Sequence, residues 1–195
     1  MSILNKSFYS QPTTKVAKQL LGKFLCRKIN GKLYIGKIVE TESYLGKKDL
    51  ACHSAKGLTE RTKVMFEPAG HAYIYFIYGM YHCFNVVTEE KNNPCAVLIR
   101  ALEPIKMPSH TNTKSCVPIT NGPAKLCREF QIDKKLNGHD LTLDKKLWIE
   151  TGDIIKPNQI KKSKRIGVDY AGIWKDKLLR FYIKDSNFVS RTRRL

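Results

Sequence analysis

Residues 72–88 read AYIYFIYGMYHCFNVVT, an aromatic run whose side chains alternate between the two sides of an extended chain. Gly79 interrupts the run where a tight reversal needs positive φ, and a second apolar stretch then returns. We therefore predict two antiparallel strands joined at residues 78–81. The joint is unusual, because hairpin tips normally carry Asn, Asp, Gly or Ser, whereas this one carries Tyr78, Met80 and Tyr81. Large side chains at a reversal need a pocket or a partner to enter.

The charge of the chain indicates what that partner is. The 195 residues include 35 Lys and Arg against 17 Asp and Glu, a formal net charge of +18. Attraction to a polyanion follows, and nucleic acid is favoured over a membrane surface. The aromatic tip would then insert between stacked bases. The alternative is a basic bias of the whole proteome or a role on the ribosome.

Composition also excludes several classes of protein. A hydrophobic content of 42% supports a real core, and the length suits one domain. The polar start of the chain is no secretory signal, and no apolar run is long enough to span a bilayer. The six cysteines form no Cys-x-x-Cys pair, so we expect neither a metal nor a disulfide. Phosphate-binding glycine motifs are missing, so we expect no cofactor.

Local patterns predict short strands and helices elsewhere. We predict a polar lead-in over residues 1–10 and a variable surface connection over residues 105–120. A helix is predicted over residues 12–21, with Thr13 or Thr14 as its cap. Asn30-Gly31 predicts a hairpin turn. The other predicted strands are residues 23–29, 32–43, 95–102, 145–150 and 178–183. A second helix is predicted from residue 123 to 130. The basic cluster KKSKR at 161–165 is predicted to be a solvated loop.

Three polar residues carry the candidate chemistry. Glu42 ends a mostly apolar strand beside Tyr44, where shielding could make it a base, although an exposed strand-end acid is the plainer interpretation. Arg100 interrupts the apolar run CAVLIRAL and must meet a carboxylate or a phosphate there. His53 is by itself an ordinary loop histidine. The helix at residue 123 offers amides to a phosphate, or is simply packed.

Eight blocks, in order, make the chain resemble the alkyladenine (3-methyladenine) DNA glycosylase family, in its compact bacterial form. They extend over nearly the whole chain: VETESYLG at 39–46, ACHS at 51–54, MF at 65–66, YIYFIYGMYHCFNVV at 73–87, AVLIRALEP at 96–104, NGPAKLC at 121–127, RIGV at 165–168 and LRFY at 179–182. Members of the family flip damaged, alkylated or deaminated purines out of duplex DNA and hydrolyse the N-glycosidic bond.

The resemblance implies a role for each matching residue. Glu42 would activate the attacking water, and Arg100 would help to hold it. Tyr78 would fill the gap left by the flipped nucleotide, with Met80 and Tyr81 against the minor groove. The base would lie between Tyr44 on one side and Tyr75 with His53 on the other. Asn85 would disfavour guanine. The rest of the pocket wall would be formed by Cys83, Ala51 and Leu98. Arg61, Arg165 and Lys125 would contact phosphates, although the sequence departs from the family beside Arg61, at Glu60 and Thr62.

The implied whole is one α+β domain over residues 1–195. It would have a curved, mainly antiparallel sheet, surrounding helices and a protruding β-hairpin. It would act as a monomer on double-stranded DNA that contains a damaged purine, without cofactor, metal or membrane. We expect it in the bacterial cytoplasm at the nucleoid, or in the nucleus of a eukaryotic source. The alternatives are a non-catalytic minor-groove binder and an enzyme that acts on RNA or on free nucleobases.

Overall fold

The computed structural model describes residues 2–77, 79–108 and 119–190. In these ranges eight strands form one sheet: β1 (Phe24–Ile29), β2 (Lys32–Tyr44), β3 (Ala72–Ile77), β4 (Tyr81–Thr88), β5 (Cys95–Lys106), β6 (Leu147–Glu150), β7 (Ile160–Ser163) and β8 (Arg180–Ile183). The α-helices are α1 (Lys6–Tyr9), α2 (Thr13–Leu20) and α3 (Pro123–Glu129). Short 3-10 helices cover Gly46–Lys48, His53–Lys56, Lys63–Phe66, Lys134–Leu136, Pro157–Gln159 and Gly172–Asp176.

The sheet is antiparallel throughout, and β2 is its longest strand. The strand order is β3-β4-β5-β2-β1-β6, while β8 pairs with both β2 and β7. The first half of β2 pairs with β1, and Glu40, Thr41 and Glu42 pair with β8. The pairing of β2 with β5 shifts register on both sides of Glu40. β2 therefore pairs with three strands, of which β5 and β8 flank its acidic segment.

Two turns follow directly from sequence. Asn30 and Gly31 both have positive φ and connect β1 to β2, as the Asn-Gly signal predicted. β3 and β4 pair from Ala72 with Val86 to Ile77 with Tyr81, as predicted for the aromatic run. Gly79, at φ +65°, occupies the reversal between them.

The main core packs the helices against the sheet. Tyr9, Leu20, Phe84 and Phe130 are among its fully buried side chains. Phe130, just after α3, lies so close to Gly36 of β2 that a Cβ there would approach its ring to 2.9 Å. A smaller apolar cluster, which includes Met65, Tyr73 and Val87, lies apart from the main core and packs against Tyr44 and Tyr75.

Several local predictions were wrong. The lead-in at residues 1–10 contains α1 and the buried Tyr9. The connection predicted from residue 105 begins later, because β5 continues to Lys106. The segment KKSKR lies partly in strand β7, whose backbone pairs with β8. The amide of Thr13 is capped by the Glu89 carboxylate from another part of the chain rather than by a threonine.

The prediction of an antiparallel sheet with a few helices is confirmed. The curvature of the sheet, the protrusion of the hairpin and the single-domain organisation stay predictions. Within the described residues, no helix combines the length and the apolar character needed to cross a membrane.

Candidate active site

A cavity of about 470 Å³ opens beside the aromatic hairpin. Its volume lies within the range of ordinary small-molecule sites. Arg61 and Arg100 line it. So do all the residues for which the resemblance implied contact with the base: Tyr44, Ala51, His53, Tyr75, Cys83, Asn85 and Leu98. The side chains come from β2, β3, β4 and β5 and from the loop after β2, so strand pairing brings distant segments to one place.

Glu42 lies behind this cavity with no exposed surface. Its Oε2 accepts a hydrogen bond from the Tyr44 hydroxyl at 2.9 Å and lies 3.3 Å from Nη1 of Arg100. Its Oε1 accepts the backbone N–H of Ile166 at 2.9 Å. Tyr44, Arg100 and Ile166 all line the cavity. The interpretation of Glu42 as an exposed strand-end acid was therefore wrong.

Arg100 has the carboxylate partners that its apolar strand required. Its Nε donates to Oε1 of Glu40 at 2.9 Å while Nη1 faces Glu42, and its side chain is 8% exposed. Burial opposes the charged form, yet Glu42 and Glu40 together hold the pKa of Arg100 above its ordinary value. The guanidinium is thus a permanent positive charge between two buried carboxylates.

Tyr44 forms one aromatic wall and is backed by an ion pair. The guanidinium of Arg165 lies 4.8 Å from the centre of the Tyr44 ring. Arg165 binds Asp49 through two hydrogen bonds of 2.5 and 2.9 Å, and neither side chain of this pair is exposed. The Asp49 carboxylate also accepts the N–H of Leu45, just after Tyr44. The ion pair therefore fixes the ring and the chain that follows it.

His53 and Tyr75 lie together in the lining. Their ring centres are 4.4 Å apart and the planes nearly perpendicular. Nδ1 of His53 shares a hydrogen bond of 2.8 Å with the Tyr73 hydroxyl. Burial, with smaller contributions from Arg61 and Lys56, lowers the pKa of His53 to about 4. The imidazole is therefore neutral at neutral pH and does not repel a cationic ligand.

The remaining predicted residues are placed as follows. Met80 and Tyr81 are exposed at the hairpin reversal, whereas Tyr78 lies outside the described residues. Arg61 is exposed near the cavity, with its guanidinium 5.4 Å from the Tyr75 ring centre. Lys125 is exposed on α3, where it donates to Asn121 and does not line the cavity.

The phosphate contact predicted for Arg165 needs correction. Its side chain is fully buried and both terminal nitrogens are engaged with Asp49. The terminal nitrogens also donate to the carbonyls of Ser43 and Trp174, and the unpaired Nε is buried, so this guanidinium offers no donor to a DNA backbone at the surface. Arg165 supports the Tyr44 wall instead.

Sequence reasoning missed several residues of the site. Tyr170 lines the cavity while 71% exposed, and Ile166 reaches Glu42 through its backbone. Asp49 had no signal in its polar loop. The block RIGV at 165–168 did point to this region, but without a contact to assign. Among the described residues, no group of three or more His, Cys, Asp and Glu side chains is placed to hold a metal ion.

Comparison with known proteins gives the family. Residues 7–187 match the model of the methylpurine-DNA glycosylase (MPG) family. The chain belongs to this family. A protein of Legionella pneumophila strain Corby named "Putative 3-methyladenine DNA glycosylase" is 50% identical over 98% of the chain and 100% of its own length. Relatives of the same name from Myxococcus xanthus and Methanocella arvoryzae are 44% and 46% identical, over 98% of the chain and 95% and 97% of their own lengths.

Family membership and these names support a DNA glycosylase role in DNA repair, with DNA as the substrate. The resemblance inferred from the eight sequence blocks is thereby confirmed. The roles of single residues are not decided by these similarities.

Proposed function

We propose that this protein removes alkylated or deaminated purines from duplex DNA by hydrolysing the N-glycosidic bond with an activated water. The supporting observation is the buried cluster of Tyr44, Glu42 and Arg100 behind an aromatic cavity. It combines a surface for a flat base with a carboxylate and a fixed positive charge. The product would be an abasic site.

The flipped base would lie against Tyr44 on one side and Tyr75 with His53 on the other. Stacking on an aromatic side chain contributes about 1–3 kcal/mol per base, which offsets a flipping cost of a few kcal/mol. A purine alkylated at N3 or N7 is cationic, so aromatic faces attract it further. A neutral His53 is compatible with that charge. Asn85, whose side-chain amide donates to the Tyr73 carbonyl at 3.1 Å, would stand against a guanine 2-amino group.

Glu42 would act as the general base. A carboxylate offers about four acceptor positions. Tyr44, Arg100 and the N–H of Ile166 occupy three of them. One position is left for a water that faces the sugar. As the bond to the purine lengthens, its electron pair leaves with the base and the sugar becomes oxocarbenium-like. The Glu42 carboxylate opposes this developing positive charge; the water oxygen then bonds to the anomeric carbon and its proton passes to Glu42.

The exposed tip of the hairpin supports contact with DNA. Met80 is 66% and Tyr81 44% exposed, and the two lie side by side at the reversal, where apolar side chains can enter a groove of DNA. We propose that both face the minor groove and that Tyr78 fills the space left by the base. The net charge of +18 favours approach to the phosphate backbone.

One experiment tests the function. The protein is incubated in EDTA with duplexes that each carry one lesion: a 3-methyladenine analogue, 7-methylguanine, ethenoadenine or hypoxanthine. Alkali then cleaves any abasic site. We expect strand cleavage at one or more lesions, with guanine lesions released more slowly than adenine lesions if Asn85 discriminates as proposed. Salt-sensitive binding without cleavage at any lesion would instead support a non-catalytic minor-groove binder, and equal action on RNA would contradict the duplex requirement.

A further inference from the structure

A second buried carboxylate lies beside the proposed base. Glu40 is on β2, two residues before Glu42, and has no exposed surface. Its Oε1 accepts Nε of Arg100 at 2.9 Å and Nε of Arg180 at 2.6 Å. The same atom accepts the Ser190 hydroxyl at 2.8 Å, and Oε2 accepts the Ser190 N–H at 2.7 Å. Glu40 thus binds a residue that lies 150 positions later in the chain.

These contacts hold the Arg100 guanidinium along three edges. Nε meets Glu40, Nη2 donates to the Ser190 hydroxyl at 3.4 Å, and Nη1 is left to face Glu42 at 3.3 Å. Arg180 closes the arrangement by donating from Nη2 to the Ser190 carbonyl at 3.3 Å. A flexible arginine side chain is held here in one orientation by groups that do not line the cavity.

We propose that Glu40 and Ser190 are positioning residues, which keep Arg100 at the distance from Glu42 that leaves room for the attacking water. The inference rests on the proposed function, since it assigns Arg100 a part in it. Glu40 and Glu42 balance the charges of Arg100 and Arg180 in this cluster. Without Glu40, Arg100 keeps Glu42 as its carboxylate partner in the cluster and moves toward it. The Arg100 guanidinium then occupies the acceptor position of Glu42 that the water would use, and the carboxylate no longer points toward the sugar.

The test is the Glu40→Gln variant, which keeps the shape and removes the charge. A displacement of about 1 Å in a catalytic group can cost about 100-fold in rate. We expect the single-turnover rate of base release to fall about 10- to 100-fold while affinity for lesion DNA stays within about threefold. The matched control is Glu103→Gln on β5, whose carboxylate is 32% exposed and pairs with Lys37 at 2.7 Å. It should excise as fast as the unaltered protein.

A double-mutant cycle separates positioning from a merely structural role. In an Arg100→Met background, adding Glu40→Gln should cost no further rate, because Glu40 acts through Arg100. Additive losses, or a Glu40→Gln rate equal to that of the unaltered protein, would overturn the inference. If Glu40→Gln does not fold, Ser190→Ala replaces it. That variant loses only the hydroxyl contacts to Glu40 and Arg100 and should slow release about threefold to tenfold, whereas an unchanged rate overturns the proposal.

The outcomes distinguish this inference from the proposed function. If the unaltered protein releases no base, the function itself fails. If it releases base and needs Glu42, while the Glu40 and Ser190 variants are as fast as the Glu103 control, only the positioning role fails.

Discussion

The hydroxyl of Tyr44 donates a hydrogen bond of 2.9 Å to Oε2 of Glu42. One side chain therefore provides both a wall of the cavity and a restraint on the carboxylate behind it. Burial, together with the neighbouring Glu42, raises the pKa of Tyr44 well above its usual range, so its proton stays in place as a donor.

Tyr44→Phe separates these two roles. The ring remains and the hydroxyl is lost, so we expect unchanged affinity for lesion DNA and a single-turnover rate about 10- to 150-fold lower, in line with the loss of a hydrogen bond to a charged group. Tyr44→Ala should lose affinity as well, because stacking is worth about 1–3 kcal/mol. Equal losses of affinity in the two variants would show that the hydroxyl, rather than the ring, binds the lesion.

The Asp49–Arg165 pair should be important for stability. Asp49→Asn leaves the guanidinium buried without its charge partner, and we expect the free energy of unfolding in urea to fall by about 3–5 kcal/mol. The control is Asp176→Asn, which breaks the exposed Lys164 pair and should leave the free energy of unfolding nearly unchanged. Similar losses in both variants would mean that burial gives the Asp49 pair no special weight.

His53 should make stability dependent on pH. Its pKa is lowered from 6.5 to about 4, so the unfolded chain binds the proton more readily than the folded one. The folded state should therefore lose stability as pH falls from about 6.5 to about 4, and the loss should level off below that. His53→Asn should show a shallower decline in urea denaturation over this window. His139, whose pKa is also lowered by burial, is present in both proteins and cancels. Parallel curves would contradict a neutral, buried His53.

Tyr78 carries the proposed insertion into the duplex. Tyr78→Ser should weaken extrusion of the base without disturbing the Glu42 cluster, because the hairpin tip and β2 are separate segments. The fluorescence of 2-aminopurine placed beside a lesion measures the extrusion, with an undamaged duplex as the control. Equal fluorescence with both proteins would assign the wedge to another residue.

Part of this site could be predicted from sequence. Arg100 was expected to meet a carboxylate or a phosphate because its strand is apolar, and its partners are the carboxylates of Glu40 and Glu42. The hairpin at Gly79 and the turn at Asn30-Gly31 are local, and both follow from backbone preference. The eight family blocks then predicted a shared site for residues that no local sequence pattern connects.

The sequence predictions that were wrong concern residues whose partners are not adjacent to them in the sequence. Glu42 looks like a strand-end acid because β8, which pairs with it, and Ile166, which donates to it, both lie more than a hundred residues away in sequence. Lys161 and Lys162 look like a solvated loop because no hairpin turn joins them to their partners in β8, and the 3-10 helix Gly172–Asp176 lies between. Arg165 looks free because its partner Asp49 lies in an unremarkable polar loop. Burial of charge by non-local contacts leaves no periodic trace in the sequence.

The most direct measurement is single-turnover release of one damaged purine from a duplex by Glu42→Gln, with Glu103→Gln as the matched control. The amide keeps the size of the side chain but cannot take a proton from water. The account predicts that lesion binding persists while base release slows about 100- to 10,000-fold. A rate equal to that of the unaltered protein would contradict it.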